Sequence, residues 1–151
     1  MRPFFKNTER RIALEDIADE WIGTPFMPFQ CVKQGGCDCV HLIHALAIGC
    51  GFNHAFNPPQ YTLDATAHRD ESMLHDYLDS IPGCKQMDAD ASLMVGDLIT
   101  FYLGRAPHHL GMMVKPPTFI HCMRGLKTVY AQINDPTYTK RIGRIYRLFE
   151  S

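Results

Sequence analysis

The spacing of apolar and polar positions changes character halfway along the chain. Between residues 8 and 22, Ile12, Ala13, Ile17, Trp21 and Ile22 recur at helical spacing with polar residues between them. This predicts a first helix, capped by Thr8, with Glu9 in its first turn and Gly23 and Pro25 at its end. Residues 24 to 37 hold Pro25, Pro28, Gly35 and Gly36 and read as a loop. From Asp38 to Ile48 nearly every position is apolar, which predicts a buried helix ending at Gly49 and Gly51. Residues 52 to 65, with Pro58 and Pro59, read as a second loop. A third, amphipathic helix is expected over 69–80, with Met73, Leu74, Tyr77 and Leu78 inward, before Pro82 and Gly83.

Beyond that point the period shortens. VGDLITFYLG, HHLGMMV, TFIHCM, TVYAQI and IGRIYRLF are β-branched or aromatic runs separated by Gly, Pro or Asn-Asp breaks. Helices followed by a meander of strands define an α+β fold: N-terminal helices on a C-terminal antiparallel sheet of about five strands. No linker, repeat or low-complexity segment divides residues 1–151, so a single domain is expected.

Composition narrows the function. Apolar residues make up 46% and charged residues 21% of the 151 positions, as in globular proteins. A formal net charge of −1 gives no basic surface for nucleic acid. No apolar run reaches the length of a membrane span. The start, MRPFFKNTERR, has no apolar signal core, so synthesis in a reducing cytoplasm is expected, with retention there or exit by another route. In that setting the six cysteines, with eight histidines alongside, are expected as free thiols, a metal site or a catalytic thiol rather than disulfides.

The chemistry concentrates in GGCDCVHLIHAL. Gly35 and Gly36 permit a tight turn into the helix, Asp38 suits its N-cap, and Cys39 falls in its first turn. Unpaired N–H groups and the positive dipole end there favour a thiolate, so a lowered pKa is expected for Cys39. The same N–H groups, that of Cys39 included, can hold an oxyanion. The alternative is that Cys39 is a small buried apolar residue. A thiol nucleophile needs a base, and the base needs a third group to orient it. His108, His109 and His121 lie on two strands joined by Lys115-Pro116-Pro117-Thr118. Consecutive prolines exclude a type I′ turn, so a longer or bulged turn is required. An odd-length turn puts His109 and His121 on one face of the sheet, and an even one separates them.

Read together, WIGTPF, GGCDCVHLIHAL, MVGDLITF, HHLGMMV and TFIHCM resemble the motifs of the NlpC-type cell-wall peptidases, and most closely their phage-tail and prophage branch. The likeness runs from Trp21 to the C-terminal IYRLF. It implies a papain-like α+β fold and a cysteine peptidase or amidase that needs no cofactor or metal. By position, Cys39 matches the nucleophile, His109 the base and His121 the orienting residue. The implied substrate is a peptidoglycan stem peptide, cut between D-γ-glutamate and a diamino acid. The implied partners are phage tail proteins, with a place in the virion. Two departures stand out. Phe26 replaces a tyrosine whose hydroxyl helps hold the oxyanion in many relatives, and Val40-His41 replace the Ser-Gly of D-C-S-G. Asp38, Phe26, His41 and His108 are thus candidate oxyanion or substrate contacts.

Three other readings compete. Cys31, Cys37, Cys39, His41 and His44 lie within fourteen residues, as in a zinc site, but Cys37-x-Cys39 is too close for the usual knuckle. The chain could be an inert tail component that has lost its chemistry. The same triad could also transfer an acyl group to an acceptor other than water.

Overall fold

The computed structural model describes residues 1–53, 73–103 and 106–151. Helix α1 spans Thr8–Trp21 and is capped by Asn7 rather than Thr8; the Asn7 side chain accepts the Arg10 N–H at 3.0 Å. Its buried residues are Leu14, Ala18 and Trp21, while Ile12 is 54% exposed. Trp21 is buried and Ile17 and Ile22 pack against the core as expected, while Leu14 and Ala18 rather than Ile12 complete the inward face. The expected loop over 24–37 contains a miniature antiparallel hairpin, β1 (Cys31–Val32) and β2 (Gly36–Cys37). A Cβ on Gly36 would lie 2.5 Å from the Met27 side chain, so only glycine fits there.

Helix α2 spans Cys39–Gly49, buries Cys39, Val40, Leu42, Ile43, Leu46 and Ala47, and packs against α1. Helix α3 covers Met73–Ser80; the expected earlier start, at 69, lies outside the described residues, as does most of the loop over 52–65. Leu74 and Leu78 point inward as expected, and so does His75.

The remaining elements are β3 (Cys84–Met87), β4 (Leu98–Leu103), β5 (Ala106–Lys115), β6 (Thr118–Cys122), β7 (Thr128–Gln132), a single helical turn α4 (Pro136–Thr139) and β8 (Ile142–Leu148). They build one six-stranded antiparallel sheet in the order β3-β8-β4-β5-β6-β7. The strand missed in the sequence is β3: CKQM is short and polar, and it forms by pairing with β8 at the edge. A buried ion pair fastens the sheet below β4. Asp97, fully buried, accepts from Arg147 Nε and Nη2 at 2.8 Å each and from the Met94 N–H at 2.8 Å. The aspartate of the VGD motif thus serves the fold.

Alternation along the strands gives the sheet two buried faces. Leu98, Leu110, Met112, Ile120 and Cys122 join the helices in one large core. Ile99, Phe101, Met113, Phe119 and Ile133 form a smaller core on the other face, covered by Leu93, Tyr138 and Ile142. The two chain ends are stitched together: Pro3 bridges Phe149, the Glu150 N–H donates to the Arg2 carbonyl at 2.9 Å, and Arg10 pairs with Glu150 at 3.0 Å.

Candidate active site

The nucleophile candidate is delivered by a cap. Asp38, in extended backbone, ends β2 and begins α2. Its Oδ1 accepts from the His41 N–H at 2.8 Å and from His41 Nδ1 at 2.8 Å. Its Oδ2 accepts from the Phe29 N–H at 2.8 Å. Both oxygens are thus engaged by the protein, and Asp38 acts as a clamp that fixes the start of the helix. Cys39, the first helical residue, is 3% exposed. The backbone N–H groups of Leu110, the residue after His109 on β5, and of Val40 favour its thiolate form. The His41 N–H is taken by the cap and the Leu42 N–H by the Asp38 carbonyl at 3.0 Å.

The histidines meet on β5 and β6. The register pairs Gly111 with His121, which places His109 and His121 on one face of the sheet. The turn achieves this with two residues, Pro116 and Pro117 joined by a cis peptide, and a β-bulge between Met113 and Lys115. Of the longer and bulged turns left open by the sequence, the bulged one is present, and its extra residue restores the common face that an even-length turn alone would remove. His109 Nε2 lies 2.8 Å from His121 Nδ1. The rings sit among Phe101, Phe119 and Tyr138: His109 stands 5.7 Å from Phe101, and His121 lies 4.9 Å from Phe119 and 5.3 Å from Tyr138, perpendicular to the last. Gly111 makes this possible, since a Cβ there would fall 2.8 Å from Phe119. The three aromatic residues went unnoticed in the sequence. Phe119 belongs to TFIHCM, but Tyr138 comes from a turn with no pattern of its own.

Burial dominates the electrostatics. It pushes the Cys39 thiol up to about 12, with the Asp38 carboxylate adding to the effect; the Leu110 and Val40 N–H groups only partly oppose it. The expected lowering by the helix end is therefore reversed, because lost hydration outweighs the dipole. Burial, and then His121, pushes His109 down to about 3, and burial pushes His121 down to about 4. At neutral pH the thiol and both rings are uncharged. Among the described residues no hydrogen bond joins Cys39 to His109. For His109 to take the thiol proton, its Nδ1 must hold the lone pair and its Nε2–H must donate to His121. The His121 proton then sits on Nε2, which is buried without a hydrogen-bond partner among the described residues.

The other candidates fall around this centre. Phe26 is half-buried against the helix-side core, and its N–H donates to the Leu126 carbonyl at 3.2 Å. It offers no hydroxyl. His41 is locked by Nδ1 to Asp38 and keeps 16% of its side chain exposed. His108 is buried at a break in the β4–β5 register. Cys31 and Cys37 are register partners across the miniature hairpin, the first exposed and the second buried. Among the described residues, no three His, Cys, Asp or Glu side chains gather to hold a metal ion. Nor is any described helix long and apolar enough to cross a membrane.

No protein-family model matches the chain. Solved structures do. An NLP/P60-family lipoprotein-like protein of Staphylococcus aureus superposes with a TM-score of 0.66 at 15% identity, over 99% of this chain and 44% of its own. The NlpC/p60 domain of the peptidoglycan hydrolase SagA gives 0.59 at 13% identity, over 93% and 98%. The fold is that of the NlpC/P60 proteins. The present chain spans less than half the length of the staphylococcal protein. By sequence, it is 26% identical over 139 residues to a probable endopeptidase of Haemophilus influenzae, covering 89% of this chain and 73% of that one. The papain-like α+β expectation thus holds, and the likeness to a probable endopeptidase extends along most of the chain.

Proposed function

We propose that the protein is a cysteine peptidase that hydrolyses peptidoglycan stem peptides at the D-γ-glutamyl–diamino acid bond. The observation that carries this reading is the His109–His121 hydrogen bond of 2.8 Å beside a thiol presented at a helix N-terminus. The resemblance of the motifs and the probable endopeptidase relative support it.

In this reading the resting pair is neutral, so proton transfer accompanies attack. His109 Nδ1 takes the proton from Cys39 as the sulfur adds to the peptide carbonyl. The Cys39 N–H faces the developing oxyanion. His109 returns the proton to the leaving amine, and a thioester remains. Water, deprotonated by His109, hydrolyses it. His121 holds the ring of His109 and fixes its tautomer throughout. The motif likeness alone supports a setting in a phage tail, with tail proteins as partners.

The test is mass spectrometry of purified stem peptides incubated with the wild type and with Cys39→Ala. Cleavage at the D-γ-glutamyl bond by the wild type only is the expected result. Equal inactivity of both, with folded and reduced protein, would sink the hydrolase reading in favour of an inert tail component. A product joined to an added amine instead of water would make it an acyltransferase.

A further inference from the structure

The sulfurs of Cys37 and Cys122 converge beneath the candidate site, where the proposed mechanism uses neither. Cys37, Cys122, Thr24 and Thr128 are all fully buried. The Thr128 hydroxyl donates to the Thr24 carbonyl at 2.9 Å, so its lone pairs face Cys37 Sγ at 3.5 Å. The Cys122 thiol donates toward the Cys37 carbonyl at 3.6 Å and toward the Thr24 carbonyl at 3.9 Å. Each sulfur therefore has its own polar anchor, and both anchors sit on one short network. The nearness of the two thiols pushes Cys37 up and Cys122 down, which makes Cys122 the more readily ionised of the two.

We propose that Cys37 and Cys122 form a redox-modification site, closing to an intramolecular disulfide with a small-molecule disulfide as oxidant. The Cys122 thiolate attacks one sulfur of the oxidant and releases one thiol. The Cys37 thiolate then attacks the Cys122 sulfur of the mixed disulfide and releases the second. Two protein thiols are oxidised, one external disulfide is reduced to two thiols, and the protein loses two hydrogens. Access comes from local opening of the β1–β2 hairpin, whose strands are two residues each. The position gives the bond leverage, since Cys37 lies two residues before Cys39 and Cys122 directly follows His121.

The nearest rival is Cys31, the register partner of Cys37 across the hairpin. Cys31 is exposed and its thiol points to the His41 carbonyl at 3.5 Å, whereas Cys37 is directed inward to Thr128. The site does not rest on the peptidase reading, and its test needs no activity. Cys39→Ala protein is incubated with oxidised glutathione at mild alkaline pH, blocked with N-ethylmaleimide and mapped unreduced by peptide mass spectrometry with fragmentation. The expected product is a Cys37–Cys122 link with loss of two hydrogens, absent when Cys122→Ser is added to the same background. A Cys31–Cys37 link, a stable glutathione adduct, or no loss of thiols would overturn the proposal. Should the added substitution prevent folding, the map of the Cys39→Ala protein decides alone.

Discussion

The two faces of the central sheet are built for different tasks. The helix-side face is aliphatic and broad, with Leu42, Ile43 and Leu46 of α2 closing on Leu98, Leu110 and Met112. The opposite face is small and aromatic, with Phe101, Phe119 and Tyr138 enclosing His109 and His121. The first face gains its stability from apolar area removed from water, and similar shapes could substitute. The second is specific in its geometry. It strips water from two imidazoles, keeps them neutral and allows one hydrogen bond between them. The comparison teaches that broad apolar packing and an enclosed histidine pair are divided between the sides of one sheet, and the thiol lies where α2 meets β5.

That division can be broken from either side. His109→Ala should lower kcat/KM on stem peptides by about 10³-fold or more, the scale of a lost general base, while the thermal midpoint moves less than for a core truncation. Steady-state kinetics with a melting curve check both halves; loss of activity through unfolding would contradict the division. Leu42→Ala should do the reverse, costing about 3 kcal/mol in urea unfolding while the protein still folded keeps its turnover. Gly111→Ala tests the joint between the faces. Its new methyl group must displace Phe119, so a loss of about 2 kcal/mol should come with a fall in kcat.

A test that needs no substitution in either face is acid sensitivity. His75, buried against Thr100 at 2.7 Å, is pushed down to about 4, first by burial and then by Arg144. It joins His121 at about 4 and His109 at about 3. Each ring stays neutral in the folded chain where the unfolded chain protonates it near pH 6.5. The unfolded state therefore binds more protons, and stability is full above about pH 7. It falls from about pH 6.5 down to about 4 for His75 and His121, and to about 3 for His109. Each ring contributes about 1.4 kcal/mol per pH unit in that window. Urea unfolding across pH 7 to 4 measures the slope, and His75→Gln should remove one ring's share. An unchanged slope would place His75 in water rather than in the core.

Much of this was legible in the sequence, and the exceptions have physical causes. The end of α2 at Gly49, the Asp38 cap and five of the strands follow from apolar spacing and turn residues. β3 did not, because CKQM has too few residues to alternate and gains its structure from β8. The α1 stripe was right at Ile17, Trp21 and Ile22 but not at Ile12, because helical spacing allows neighbouring faces and packing selects Leu14 and Ala18 instead. His109 and His121 could be named but not placed together, since their common face depends on one bulged residue. The thiol of Cys39 was expected to ionise easily. Helix dipoles can be read from a sequence, but the depth of burial that overrides them here cannot.

The stitching of the chain ends carries a consequence for engineering. With Pro3 bridged to Phe149 and Glu150 bonded to Arg2, the path enters and leaves the domain at one point. A short flexible linker could join the two ends, and new ends could open at the β6–β7 connection, where Arg124, Gly125 and Leu126 are exposed. Such a circular permutant would keep every strand pairing described above. The same geometry suits insertion of the whole domain into a surface loop of another protein without stretching either chain.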